Sequence, residues 1–384
     1  MTLDLNSPAA DMHRAAERAR DWLLNVAAPL WAERGRTASG LFAERMTLAG
    51  VPDAAYFRTF VQARHIFSFI EAGKMGWTGP WQALVGETVD TLLAKARRAD
   101  GFFVHRLTVD AVHLDSRADL YDQAFVLLAL AKAGEALDRP ELFDEAARLL
   151  DLLQSEWRHP QGGFTEGEVV DPSVRRQNPH MHLFEAFIAL AEASKRQHFM
   201  DAAVAIGTLC KTRFIDPETG ALLEYFDDDW TPAKGLAGRI VEPGHCLEWA
   251  WLFEILALLG WTDGPAISDR LTHFARSTGI CTRRRVAINE VLTDGTIHNG
   301  NARLWPQTER AKAAVARYRR LGSGAELSEA AAAAAGLELY LDVAVPGLWR
   351  DKLTPGGGWI EELAPGSSLY HISCAYGELA RIAL

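Results

Sequence analysis

The chain has only four cysteines in 384 residues: Cys210, Cys246, Cys281 and Cys374, scattered and without a CxxC pair. That usage argues against a disulfide framework or a zinc knot and suits reduced thiols in a cytoplasm. No apolar run is long enough to span a bilayer, and Met1-Thr2-Leu3-Asp4 lacks the basic-then-apolar order of a secretory leader. Positive charge is in deficit: the formal net charge is −10, which argues against nucleic acid or an anionic membrane as the main partner. There is no glycine-rich phosphate cradle, so a phosphorylated ligand is not favoured. No linker rich in Pro, Gly or Ser divides the sequence, and residues 1–384 are expected to form one domain.

What the chain does have is hydrophobic content of 48%, twelve tryptophans and a dominant helical period. Flat indole rings suit a sugar-binding cleft, although core packing accounts for most of them equally well. The periodicity predicts twelve helices, at 10–34, 53–73, 80–98, 117–136, 140–157, 179–195, 197–214, 244–261, 264–279, 306–321, 325–341 and 368–383. The links before alternate helices resemble one another: Gly40-Leu41-Phe42-Ala43-Glu44, Gly101-Phe102-Phe103-Val104-His105, Gly163-Phe164-Thr165-Glu166, Gly220-Ala221-Leu222-Leu223-Glu224 and Gly358-Trp359-Ile360-Glu361. Ile288-Asn289-Glu290-Val291 reads as a degenerate sixth copy. A period of about 60 residues fits a helical hairpin plus a long loop. Six such hairpins without charged capping ends predict an all-α closed ring, an (α/α)6 barrel, with short β pieces in the long loops at one mouth.

In such a ring the even-numbered helices form the inner wall, and their first turns open at that mouth. Several of these turns carry polar or aromatic residues where a buried wall would be apolar. Asn178 is read as an N-cap with Pro179 at the first helical position, and His182 lies four residues further on the same side. Tyr121, His245, Trp305 and His371 fall in the first turns of four other inner helices. Glu248, three residues after His245, is expected to share its face and to fix its tautomer or raise its basicity. Taken singly, Asn178 reads as a cap, Tyr121 and Trp305 as wall packing and Glu248 as a first-turn carboxylate. Three histidines, His182, His245 and His371, at equivalent points of three repeats carry the functional reading.

The segments Asn178-Pro179-His180-Met181-His182-Leu183-Phe184-Glu185-Ala186, Gly244-His245-Cys246-Leu247-Glu248-Trp249, Arg303-Leu304-Trp305-Pro306-Gln307-Thr308-Glu309 and Leu369-Tyr370-His371 resemble the N-acylglucosamine 2-epimerase superfamily, which includes cellobiose 2-epimerases, mannose isomerases and sulfoquinovose isomerases. The resemblance runs from about Gln62 onward. It implies an (α/α)6 barrel, no metal or other cofactor, and proton transfer at C1 and C2 of an aldose. It also implies His245 and His371 as the acid/base pair, with Arg64, Asn178, His182 and Glu248 binding and orienting the sugar; Tyr121, Trp305 and Arg239 are assigned to the same shell.

The C2 proton of an open-chain aldose is weakly acidic, so a base must lie within reach and the oxyanion at C1 must be stabilised. One histidine suffices for isomerisation, because a proton taken from C2 can return to C1 on the same face. Epimerisation needs a second acid opposite. A free monosaccharide is expected as substrate, mannose to fructose first and mannose–glucose 2-epimerisation next. Sulfoquinovose is the choice if Arg64, Arg239 or Lys234 converge on C6. A disaccharide needs an open mouth, which the loop at 216–235 could narrow. A cupin-type zinc isomerase needs strands that this period does not supply, and His180 and His182 diverge on a helix. A glycoside hydrolase or lyase would draw a carboxylate pair from Asp119, Asp122 and Glu309. A non-catalytic sugar-binding protein is the remaining class. A homodimer is compatible with the sequence.

Overall fold

The computed structural model describes residues 8–383; Met1 to Asp4, and with them the reading of the leader, lie outside. Among the described residues there are twelve long helical stretches, labelled here α1 to α12, and one short 3-10 turn at Ala237–Arg239. The outer helices are α1 (8–35), α3 (81–96), α5 (Glu141–Glu156), α7 (197–214), α9 (Gly264–Thr278) and α11 (Gly324–Leu341). The inner helices are α2 (Thr59–Lys74), α4 (Leu120–Ala136), α6 (Gln177–Ser194), α8 (Pro243–Leu258), α10 (Trp305–Leu321) and α12 (Ser368–Ala383). Helices α1, α3 and α7 end in widened π-type turns, at Trp31–Gly35, Leu92–Ala96 and Cys210–Phe214.

Sequence decides which helix goes where. In α5 the buried Leu142, Phe143, Ala146, Leu149, Leu150 and Leu153 recur at helical spacing and leave a polar outer face. In α8 the residues from Pro243 to Glu254 are buried all round, so that helix has to be enclosed. Each inner helix packs on the next, from α2 through α4, α6, α8 and α10 to α12, and α12 returns to α2. The ring is closed, and α1 covers α11 and α12.

The mouth is laced by short antiparallel pairs, in which each long loop pairs with the strand leading into the preceding inner helix. Arg106–Leu107 meets Phe57–Arg58, Tyr225–Phe226 meets Arg175–Arg176, Glu290–Leu292 meets Ile240–Val241, and Lys352–Leu353 meets Ala302–Arg303. A single bridge, Asp119 to Gly167, serves α4. Arg45–Met46 meets Ala364–Pro365, and the circle is complete. Inner-helix side chains pin the loops in return. Gln62, Gln123 and Gln307 each bond both backbone groups of one loop residue, respectively Phe42, Phe103 and Ala287. Asn289, in the degenerate copy, accepts from the Arg303 N–H as Glu44 does from Arg58 and Glu166 from Arg176.

These strand pairs move two predicted boundaries. Pro52–Asp53 and Phe57–Arg58 are extended, so α2 begins at Thr59 rather than 53, and Arg64 falls in its second turn. Asn178 is not a cap: the pairing of Arg175–Arg176 ends the extended segment one residue earlier, Arg176 flanks the helix at φ −128°, and α6 starts at Gln177. Pro179 then sits third, where its missing N–H still has no intrahelical partner. The cysteines form no disulfide among the described residues, and no described helix is long and apolar enough to cross a membrane.

Candidate functional site

At the laced mouth the first turns of the inner helices enclose a cavity of about 240 Å³. Five of the inner helices put the residue six positions after their entry residue into one layer: Arg64 after Arg58, Phe125 after Asp119, His182 after Arg176, Glu248 after Glu242 and Glu309 after Arg303. His371 on α12 joins them, bonded to Glu309. All six are at least nine-tenths buried. The clustering of polar atoms on an otherwise apolar wall therefore follows from one register repeated round the ring.

His245 enters from the first turn of α8. Its Nδ1 lies 3.0 Å from both oxygens of Glu224, and its Nε2 lies 3.2 Å from Asn178 Nδ2. Burial opposes a charge on this ring, but the Glu224 and Glu242 carboxylates outweigh it and lift its pKa to about 10. His371 is the opposite case. Its Nδ1 is 2.9 Å from Glu309 Oε1, and burial, with the positive charges of Arg64 and Lys312, holds it well below the usual histidine range. The indole of Trp305 stands between the two, 4.9 Å from the ring of His245 and 5.7 Å from that of His371. Gly244 makes room for it, since a Cβ there would come within 2.6 Å of the indole.

Among the described residues Arg64 has no carboxylate partner. It donates to Tyr121 Oη at 2.7 Å and to the Ser367 carbonyl at 3.2 Å, among the rings of Phe60, Phe125 and Tyr370. His182 packs edge-on against Tyr121, and burial takes its pKa down to about 4. Glu248 is buried with neither oxygen hydrogen-bonded; burial, then the Glu309 charge, push its carboxyl up to about 8. Burial lifts Glu242 to about 7 against the pull of His245.

The cavity thus brings together Arg64, Tyr121, Asn178, His182, His245, Glu248, Trp305 and His371. Two expectations are corrected. Arg239 is not in the lining: it pairs with Asp294 at 2.6 Å and is half exposed. Glu248 does not fix the tautomer of His245, because it lies a turn deeper, beside Lys312 at 3.9 Å, and Glu224 from the preceding loop takes that place; its charge is still among those that raise the basicity of His245. Lys234 and the rest of the 216–235 loop do not line the cavity either. Of the tryptophans, only Trp305 lines it, while Trp31, Trp230, Trp249 and Trp349 are packed in the core. Asp122 is held by His105 at 2.7 Å and by the Phe60 N–H, Asp119 caps α4 and Glu309 is bonded to His371, so none of the three lines the cavity; the carboxyls that do are Glu242 and Glu248.

Sequence reading missed Glu224, Glu242, Arg58, Arg303, Ser367 and Ser368. Glu224 closes one of the repeated loops, where Glu44 and Glu166 recur, and that repetition was the available signal. Ligand-type atoms also come within 4.8 Å of one another in four groups, including His182 with Glu185 and Glu248, Glu224 with Glu242 and His245, and Glu248 with Glu309 and His371. In the last of these the Lys312 ammonium already supplies the positive charge, 2.6 Å from Glu309.

A closed helical barrel with histidines and an unpaired arginine around a monosaccharide-sized cavity is the framework of a sugar isomerase or epimerase. The N-acylglucosamine 2-epimerase family model matches residues 40–375, and the chain belongs to that family. A mannose-6-phosphate isomerase of Rhizobium meliloti is 39% identical over 96% of this chain and 97% of its own. A D-mannose isomerase of Thermobifida fusca is 33% identical over 40% of each chain. Among solved structures, cellobiose 2-epimerase from Spirochaeta thermophila shares the fold with a TM-score of 0.87 at 22% identity, covering 100% of this chain and 99% of its own. A D-mannose isomerase structure matches with a TM-score of 0.86 at 19% identity, over 95% of this chain and 97% of its own.

Proposed function

We propose that the protein interconverts an unphosphorylated aldose and ketose, D-mannose to D-fructose, by proton transfer between C2 and C1 through a cis-enediol(ate). The observation that carries this reading is a pair of histidines facing one cavity, each held at Nδ1 by a buried carboxylate, His371 by Glu309 and His245 by Glu224, with burial pulling the first down and neighbouring carboxylates pulling the second up. With Nδ1 held by Glu309, His371 presents Nε2 as the base that takes the C2 proton and returns it to C1. His245, with Arg64, faces the oxygens where negative charge develops, an electrostatic role that gains strength as a bound sugar displaces water from the cavity. The neutral Glu248 carboxyl donates to a sugar hydroxyl. A volume of about 240 Å³ lies below the usual range for drug-sized ligands, which supports a single hexose rather than a disaccharide.

The relative matched over the whole chain is named for mannose 6-phosphate, and Arg58 and Arg303 stand at the rim, which gives a second reading. Both guanidiniums are already paired, with Glu44 at 2.7 Å and Asp351 at 3.1 Å, and this favours the free sugar.

Incubation with mannose, then mannose 6-phosphate, in D2O with and without EDTA, followed by NMR, tests both readings. Early fructose that disappears in His371→Ala and His245→Ala is the expected result. Early glucose instead would make the enzyme a 2-epimerase, and turnover of the phosphate ester alone would reverse the choice of substrate.

A further inference from the structure

The proposed reaction requires His371 to keep an unprotonated Nε2 toward the sugar while its other nitrogen touches a carboxylate. A carboxylate beside an imidazole ordinarily favours the imidazolium. Glu309 is fully buried; its Oε1 receives His371 Nδ1 at 2.9 Å and the Thr308 hydroxyl at 3.1 Å. Its Oε2 lies 2.6 Å from Nζ of Lys312, one helical turn further along α10. Lys312 is fully buried as well, with Nζ 3.7 Å from the centre of the Trp251 ring and 3.9 Å from Glu248. Taking an ammonium out of water is costly, and an apolar side chain of similar length would fill the same space without that penalty.

The charged and titratable groups packed around His371 come from every inner helix. They are Arg64 of α2, the Tyr121 hydroxyl of α4, His182 and Glu185 of α6, His245 and Glu248 of α8, Glu309 and Lys312 of α10, and Tyr370 and Cys374 of α12 itself. Of the cations in this set, Lys312 is the one in direct contact with Glu309.

We propose, resting on the isomerase reading above, that Lys312 is a positioning residue for the base: as an ion-pair partner beside the second oxygen of Glu309 it offsets the charge of that carboxylate within α10 and leaves His371 as an imidazole with Nδ1–H on Glu309 and Nε2 free. Glu309 then orients the ring without drawing a second proton onto it. The buried ammonium sets the charge of its neighbour's neighbour and never meets the substrate.

Titration of the His371 ring by NMR in protein labelled at histidine carbon, with the signal assigned by its loss in His371→Gln, tests this without substrate. In Lys312→Met the midpoint should rise by about one pH unit or more, the effect expected when a contacting opposite charge is left uncompensated. The acid limb of kcat/KM should move by the same amount, and Lys312→Arg should restore both. The double variant Lys312→Met/Glu309→Gln removes the unpaired carboxylate as well, so its midpoint should fall back; it also serves if the single variant does not fold. An unmoved midpoint in folded Lys312→Met overturns the proposal. So does failure of both the single and the double variant to fold, which would mark Lys312 as purely structural. Absence of turnover by the wild type on any hexose would sink the isomerase reading, while the midpoint would still decide the role of Lys312.

Discussion

The side-chain amide of Asn178 meets Nε2 of His245 at 3.2 Å, bridging α6 and α8 across the cavity. Its Oδ1 has no partner, so the amide can turn over and accept from Nε2–H when the ring is charged. Asn178 can therefore hold His245 in either state. Asn178→Ala should lower kcat by roughly 10²-fold, the scale on which a loosened catalytic group is penalised, with little change in thermal stability. Steady-state kinetics beside a melting curve checks this; an unchanged kcat would remove Asn178 from the site.

Glu224 gives a pH-dependent prediction. The His245 pKa is raised from 6.5 to about 10 in the folded state, so the stabilisation is fully present below pH 6.5 and is lost as pH rises through about 10. Thermal stability of the wild type should decline across that window. In Glu224→Gln the largest opposing charge is gone, and the decline should flatten and begin at lower pH. Melting temperatures of both proteins from pH 6 to 10 would show it.

A carboxyl that titrates near 8 is a donor at neutral pH and an anion above it. If Glu248 donates to the sugar, kcat/KM should fall as pH rises through about 8, and Glu248→Gln, a permanent donor, should lose that limb while keeping activity within about tenfold of wild type. Glu248→Ala should be far weaker at every pH. A Gln variant as poor as the Ala variant would point instead to a role for the carboxylate form.

Gly244 tests the indole between the histidines. A methyl group there would overlap Trp305 at 2.6 Å, so Gly244→Ala should displace the ring and cost about 1–3 kcal/mol of stability. Activity should drop more than stability alone explains at a temperature where the variant is folded, and a shift in tryptophan fluorescence should accompany it.

The architecture was legible because the same signals recur: a glycine-led loop five times with a degenerate sixth copy, and a polar or aromatic first turn on five inner helices. Helix ends were less so, since two-residue strand pairs such as Phe57–Arg58 with Arg106–Leu107 depend on a partner about 50 residues away. Site residues on inner helices could be read because helical spacing puts them on one face. Glu224 was legible only as one of the repeated loop-closing glutamates, since its contact with His245 comes from the loop before the helix, across 21 residues. Arg239 misled because a loose motif match says nothing about Asp294, which draws it outward. Lys312 gave no signal at all, since a lysine at that spacing in α10 reads as an ordinary surface residue.

The strand pair that ties Arg45–Met46 to Ala364–Pro365 links assembly of the barrel to chemical competence. Synthesis delivers Arg64, His182 and His245 long before His371, and α12 can seat only between α10 and α2, both made earlier. On the isomerase reading proposed above, a nascent chain can therefore gather the groups that hold a sugar while lacking the one that removes its proton, and the gap in the wall and that base are filled by the same helix.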